Sequence, residues 1–386
     1  MKMLFVCYSK SSSVDSSAYN RRILQIEAHC RKLGAITSVL FLGDLFFSSP
    51  VLIQPLNLLF ILRYLKSFDV ISAEGHGPAY FFALTRPIIG KTPLIVYDMH
   101  SDALTESRLA KKGRFDFRGS YNGFQMRLTE YIASKANRYF IVAWPDLKKR
   151  LLKRNRRIRT ENVEIILNGA DLNLFKPQFD TTNSVRMCVF TVTYAGSFVS
   201  YEGTDPLIRA AEMLGKESIH FKLIGFREDE SIIKKEIQKR LGEKATLLDW
   251  QPQDKLISEL RKSDILIIPA DASSHGQSQN RSGLIPTKFA EFLALAKPVI
   301  VTSLDDTSKI VEKFDCGFVC EPNAKSIAEA ILRARDTSPE SLVMKGRNGR
   351  KFAEAELDID LICKKYLQFL NRLLGRTGFQ KITHAE

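Results

Sequence analysis

Short β-branched runs alternate with helical patterns along almost the whole chain, and this alternation limits the fold more than any other feature. In the first half, residues 4–7, 36–40, 70–73, 94–97, 139–143 and 163–167 are apolar runs of strand length. Helical periodicity lies between them, at 18–33 and 125–135. In the second half the predicted strands are 189–194, 220–224, 245–248, 265–268 and 299–302. The helices expected between and after them are 205–214, 229–241, 254–261, 286–296 and 326–334, with a last one at 358–374. Continuous apolar strands separated by helices belong to parallel sheets covered on both faces. At 386 residues the chain can hold two such domains, each with its own core. Residues 176–187, rich in polar and turn-forming types, read as the linker.

The segment 283–302, G-L-I-P-T-K-F-A-E-F-L-A-L-A-K-P-V-I-V-T, carries the most chemistry. Pro286 suits the first position of a helix, where its missing N–H costs nothing. Phe289, Phe292, Leu293 and Leu295 take the apolar positions, and Lys288 and Glu291 share one face. A helix start offers free N–H groups and a positive dipole end to a phosphate. A carboxylate one turn on can accept hydrogen bonds from neighbouring hydroxyls, as on a ribose. Gly196, Ser197 and Gly203 fit a turn where backbone approaches phosphate closely. Gly225 and Arg227 follow the next strand, and Arg281 lies in a polar loop before the helix.

These stretches resemble the donor half of retaining GT-B glycosyltransferases, family 4-like, in the subgroup reading P-S/T-K-x-x-E-y-x-A-x-G-K-P-V-I. The other matches keep that family's order. They are I-I-L-N-G-A-D at 165–171 with F-K-P at 175–177, then Y-A-G-S-F at 194–198 with G-T-D-P-L-I-R-A-A at 203–211. F-K-L-I-G at 221–225 and G-F-V-C-E-P at 317–322 complete the series, with Cys320 in place of the family's valine. The resemblance implies that Glu291 is the second of a glutamate pair and holds the nucleotide ribose. The first glutamate would fall at Gly283. Ser197 and Glu202 stand where the family often has arginine and lysine, so either Lys288 and Arg281 hold the diphosphate in their place or donor binding is impaired. The implied donor set is therefore Gly196, Ser197, Gly203, Gly225, Arg227, Arg281, Gly283, Pro286, Thr287, Lys288 and Glu291. No metal-ligand cluster is visible in the sequence, and no cofactor is expected. Fixed cations would stabilise the charge on the departing diphosphate.

The first half bears the excess charge. Residues 1–180 hold 27 Lys+Arg against 15 Asp+Glu, and residues 181–386 hold 30 against 28, so +12 of the total +14 lies in the first half. Residues 146–159, D-L-K-K-R-L-L-K-R-N-R-R-I-R, place Leu147, Leu151 and Leu152 among eight cations. A basic amphipathic helix of this kind predicts contact with an anionic membrane through Lys149, Arg150, Lys153 and Arg154. No nucleic-acid motif accompanies the charge. The apolar stretch 51–65 is broken by Gln54, Asn57 and Arg63 and is too short to span a bilayer. Six scattered cysteines fit a reducing cytoplasm and offer no zinc pattern.

Ligands of doubly wound sheets bind at the carboxyl ends of the strands. His100 follows one predicted strand and His76 another, so both are acceptor-side candidates, with His100 the preferred catalytic group beside Glu291 and Lys288. Asp98 and Asp102 are available as base or orienting groups. The expected protein is a GT-B α/β chain of two doubly wound, Rossmann-like domains facing a central cleft. Residues 1–178 would bind the acceptor and 187–357 the donor, with 358–386 folding back on the first domain. The expected activity is transfer from a nucleotide-diphosphate sugar to a glycan or lipid-linked hydroxyl, metal-independent and retaining, in the cytoplasm or on the inner membrane face. A nucleotide-sugar epimerase and a non-catalytic membrane-associated binding protein are the alternatives.

Overall fold

A computed structural model describes residues 1–9, 18–43, 63–100, 117–178, 189–198, 202–270, 286–304 and 306–376. The chain divides into two compact units, Met1–Asn168 with Ile359–Glu386, and Gly169–Asp358. The first division thus falls at 168, where the sequence placed it at 178.

In the first unit, strands β1 (Lys2–Cys7), β2 (Ile36–Phe41), β3 (Val70–Glu74), β4 (Leu94–Met99), β5 (Tyr139–Val142) and β6 (Val163–Ile165) form one sheet in the order β2-β1-β3-β4-β5-β6. Every pairing is parallel. The order reverses between β1 and β3, so this unit's topological switch lies there. All five residues of β3 are buried, as expected for a strand covered on both faces. Helices α1 (Ala18–Lys32), α2 (His76–Ile89), α3 (Phe117–Ala136) and α4 (Pro145–Arg154) accompany the sheet.

The C-terminal helix Ile359–Leu373 completes this unit's core. Its Ile359, Ile362, Cys363, Tyr366, Leu367, Phe369 and Leu370 are buried with Met3, Phe5, Ile23, Ile26 and Val70. Tyr366 stacks on Phe5, and its hydroxyl donates to Ser72 Oγ at 2.7 Å. The chain returns here because one face of that helix is apolar throughout, and burying a side chain of this size is worth about 1.5–3 kcal/mol.

The second unit repeats the plan. Strands β7 (Phe190–Ala195), β8 (Ile219–Phe226), β9 (Ala245–Asp249), β10 (Ile265–Ile268), β11 (Val299–Thr302) and β12 (Gly317–Cys320) order as β12-β11-β10-β7-β8-β9, all parallel. Helices α5 (Thr204–Met213), α6 (Ser231–Leu241), α7 (Gln253–Arg261), α8 (Thr287–Ala294), α9 (Asp306–Phe314), α10 (Ala324–Arg335) and α11 (Pro339–Phe352) follow in chain order. Helix α8 buries Phe289, Ala290, Phe292 and Leu293 and leaves Thr287, Lys288 and Glu291 partly exposed on its other side.

Three local readings change. Pro286 is not the first helical residue but the cap before it, with extended backbone at φ −65° and ψ 147°. The predicted helix at 125–135 starts earlier, at Phe117. The basic helix ends at Arg154, not at 159. Asn155 leaves the helical conformation, and its side-chain amide donates to the Ser134 carbonyl at 2.8 Å.

Candidate functional site

At the carboxyl ends of β3 and β4, four side chains form a closed polar cluster inside the first unit. Glu74 ends β3, Asp98 is the penultimate residue of β4, and His100 follows that strand. Arg22 reaches them from α1, on the same helical stripe as buried Ile26 and Cys30. Glu74 and Asp98 are fully buried and Arg22 is only 6% exposed. Arg22 Nη1 lies 2.7 Å from His100 Nδ1 and 3.5 Å from Asp98 Oδ2. An arginine can only donate, so Nδ1 accepts and the ring proton sits on Nε2. That Nε2–H donates to Glu74 Oε2 at 2.7 Å. Ser72 donates to the other Glu74 oxygen at 2.6 Å, and Arg22 Nε donates to Asn168 Oδ1 at 2.8 Å.

Burial sets the protonation of this cluster. It pushes Glu74 up to about 7, with Arg22 opposing the rise. It holds His100 down to about 3, against the pull of Asp98. It also raises Asp98. The 2.7 Å contact between His100 and Glu74 is therefore a hydrogen bond of a neutral imidazole, not an ion pair. Among the described residues, Arg22 Nη2 and both Asp98 oxygens are buried without a hydrogen-bond partner. Glu74, Asp98 and His100 offer ligand atoms within 4.8 Å of one another, a metal-compatible geometry that sequence spacing did not reveal. The Arg22 guanidinium already supplies a cation among them.

His100, the preferred catalytic residue, thus has both ring nitrogens engaged inside its own unit. His76 differs. It is the first residue of α2, is partly exposed, and has its pKa lowered by burial alone. Asp98 joins the cluster, and Asp102 lies outside the described residues. Sequence reasoning missed Arg22, Glu74 and Asn168. A charged residue on the apolar stripe of α1 and another ending a buried strand were the available signals.

The second unit presents a more open corner. Tyr194 lies near the end of β7, Gly196 and Ser197 follow that strand, and Gly203 caps α5 with φ 74°. A Cβ at Gly203 would stand 1.7 Å from the Pro269 carbonyl oxygen, so only glycine fits there. The Tyr194 hydroxyl donates to the Ser197 carbonyl at 2.6 Å, and Phe198 stacks on Phe226 at 3.7 Å. These contacts fix the turn after β7. Lys288, at the start of α8, reaches this turn. Its Nζ lies 2.8 Å from where a Cβ on Gly196 would be, and 5.1 Å from the centroid of the Tyr194 ring.

The same ammonium donates to Glu202 Oε2 at 2.5 Å. Lys288 is 18% exposed and Glu202 23%, so solvent reaches the pair. The structure therefore brings Gly196, Ser197, Gly203, Glu202 and Lys288 together, with Pro286 and Thr287 at the start of the same helix and Glu291 one turn on. Gly225 sits at the β8 irregularity, where its Cβ would meet the Gly196 carbonyl oxygen at 2.4 Å. Arg227 is exposed, and its backbone N–H donates to Glu230. Arg281 and Gly283 lie outside the described residues.

Helix α4 departs from its expected role. Leu147 and Leu151 are 0% and 1% exposed and face the core, so only Leu152, which is partly exposed, remains of its apolar stripe. Lys148 donates to the Val163 carbonyl and Arg150 to Asp146, while Lys149 and Lys153 remain exposed. No helix among the described residues is long and apolar enough to cross a membrane.

Residues 185–352 match the family model described as Glycosyl transferases group 1. The chain is 22% identical over 211 residues to the putative colanic acid biosynthesis glycosyl transferase WcaI of Escherichia coli K12. That match covers 53% of this chain and 47% of WcaI, so it spans about half the relative's length. Among solved structures, sucrose-phosphate synthase from Thermosynechococcus elongatus superposes with a TM-score of 0.75 at 14% identity, covering 97% of this chain and 99% of that one. Anabaena HepE, solved with UDP and glucose, gives 0.71 at 16% identity, covering 96% and 100%. At such identities the likeness is one of fold. The chain accordingly has the two-unit α/β fold seen in GT-B glycosyltransferases, and the residues that match the group 1 glycosyl transferase model all lie in its second unit.

Proposed function

We propose that this protein transfers a sugar of hexosyl type from a nucleoside-diphosphate sugar to an acceptor hydroxyl, with retention of configuration and without a metal. The observation that carries the reading is a coincidence of place. The group 1 match falls on the unit that gathers Gly196, Gly203, Lys288 and Glu291 at its strand ends. The HepE complexes with UDP and UDP-glucose support a nucleotide donor.

In this reading Lys288 and the free amides at the start of α8 hold the diphosphate and stabilise its charge as the glycosidic bond breaks. Glu291 accepts hydrogen bonds from the ribose. Gly196, Ser197 and Gly203 admit the phosphates, with Gly225 and Arg227 beside them. Arg281 is the second cation. The first unit binds the acceptor, with His76 and the His100–Asp98 cluster on its side. For His100 to act as a base, Arg22 must leave Nδ1 and free its lone pair. The acceptor is a lipid-linked or envelope glycan, a reading supported by the colanic acid role in the name of WcaI. The protein then works at the inner membrane face, held partly by the exposed cations of α4.

The test is product analysis with labelled nucleotide sugars, chosen by their ability to raise the thermal stability of the protein. Transfer to an added acceptor is the expected result. An isomerised donor would identify an epimerase, and binding without turnover would identify a binding protein. Glu291→Ala should weaken donor binding by about 1.5–3 kcal/mol. His100→Ala should abolish transfer with donor binding intact, and His76→Ala should be milder. The reverse ranking moves the catalytic role to His76.

A further inference from the structure

We infer that helix α3, rather than α4, supplies the apolar contact by which the first unit docks on an anionic bilayer surface. The inference rests on the membrane reading above and deepens it. Four large side chains of α3 stand in the open: Tyr121 is 61% exposed, Phe124 56%, Leu128 44% and Tyr131 57%. Their spacing of three, four and three places them on one face, over a length of about 15 Å. The opposite face is the packed one. Gly123, Glu130 and Ala133 are buried, and Glu130 accepts the Tyr97 hydroxyl. The stripe is therefore not core-facing surface left over from the fold.

The charges around the stripe identify its occupant. Arg127 and Lys135 are exposed on α3, and Arg138 follows its end. The one acid among the described side chains of α3, Glu130, is buried. The Asn155 hydrogen bond to the Ser134 carbonyl ties the end of α4 to the last turns of α3. It brings the exposed cations Lys153, Arg156 and Arg157 to the same end of the helix. Tyrosine and phenylalanine over a cationic rim suit the interface between headgroups and acyl chains, where the ring bodies are buried and the phenol tips stay wet. A second copy of this chain fits poorly, because a two-fold contact would press these cations against their own copies.

Co-sedimentation with vesicles of phosphatidylglycerol and phosphatidylcholine, and with phosphatidylcholine alone, tests the inference. The full-length wild-type protein should sediment with the anionic vesicles only. Tyr121→Ser, Phe124→Ser and Leu128→Ser together should lower its partition coefficient by about tenfold or more, since each tenfold is only about 1.4 kcal/mol. These side chains are exposed, so an unchanged melting temperature is expected and separates lost docking from lost folding. A Phe124→Trp variant should show blue-shifted emission with anionic vesicles. Wild-type protein that ignores both vesicle types overturns the membrane reading and this inference with it. Serine variants that bind as well as wild type, when Lys149→Gln with Lys153→Gln does not, overturn the role of α3 alone. A wild-type dimer in sedimentation velocity that the serine variants abolish assigns the stripe to a second copy instead.

Discussion

Each unit gathers charged side chains near the carboxyl ends of its strands, at β3 and β4 in the first and beside the turn after β7 in the second, yet one cluster is nearly closed and the other is more open. In the first unit Arg22, Glu74 and Asp98 are buried and the His100 side chain is 11% exposed, and burial dominates the titration of Glu74, Asp98 and His100. In the second, Lys288 and Glu202 face solvent, and their pairing is the kind that a competing phosphate can displace. Similar sheets thus yield different chemistry because water access differs. A buried charge must be matched within the protein, whereas a half-exposed one can exchange partners.

The sealed cluster should respond most to a lost partner. Arg22→Ala leaves Asp98 and Glu74 without their cation and should destabilise the first unit by about 3–5 kcal/mol. Urea unfolding measures this, and a loss below about 1 kcal/mol would mean that the cluster is wet and the contrast false.

The open cluster should respond in activity rather than stability. Lys288→Ala should lower the turnover number by about 100-fold, with a smaller effect on donor affinity, because charge on the diphosphate grows in the transition state. Equal losses in rate and affinity would restrict Lys288 to ground-state binding. Glu202→Gln should tighten binding of a nucleoside diphosphate by about two- to fivefold, since the carboxylate no longer competes for the ammonium. Calorimetric titration decides it, and weaker binding would make Glu202 a ligand contact in its own right.

The sealed cluster also carries a pH dependence, whose net slope is small where its two titrations oppose each other. The folded state holds the Glu74 proton more tightly than the unfolded chain, so stability falls as pH rises from about 4.5 to about 7. His100 is kept neutral, so stability falls as pH drops from about 6.5 towards 3. The two slopes oppose each other between about 4.5 and 6.5, and only the His100 loss remains at lower pH. Glu74→Gln should remove the loss towards neutrality, so its melting temperature should gain on the wild type between pH 4.5 and 7. Parallel melting curves across that range would show that Glu74 titrates normally.

Much of this molecule is legible in its sequence. The strands at 265–268 and 299–302 coincide with β10 and β11, because continuous apolar runs bounded by turn residues have few other uses. The turn at Gly203 and the start of the helix bearing Lys288 were legible for a related reason: both lie in short segments whose local backbone geometry the sequence dictates. The end of α4 and the partners of its leucines were not. A leucine stripe among cations looks the same whether it faces a membrane or a core, and only packing against the sheet makes that choice. The same holds for α3, whose aromatic face is visible only once Glu130 and Ala133 are seen to point inward. The Arg22–His100–Glu74–Asp98 cluster needs residues up to 78 positions apart in the chain. Local pattern determines elements and turns through backbone and side-chain periodicity. Tertiary structure decides which polar groups lose water, and with that, which protons and partners they keep.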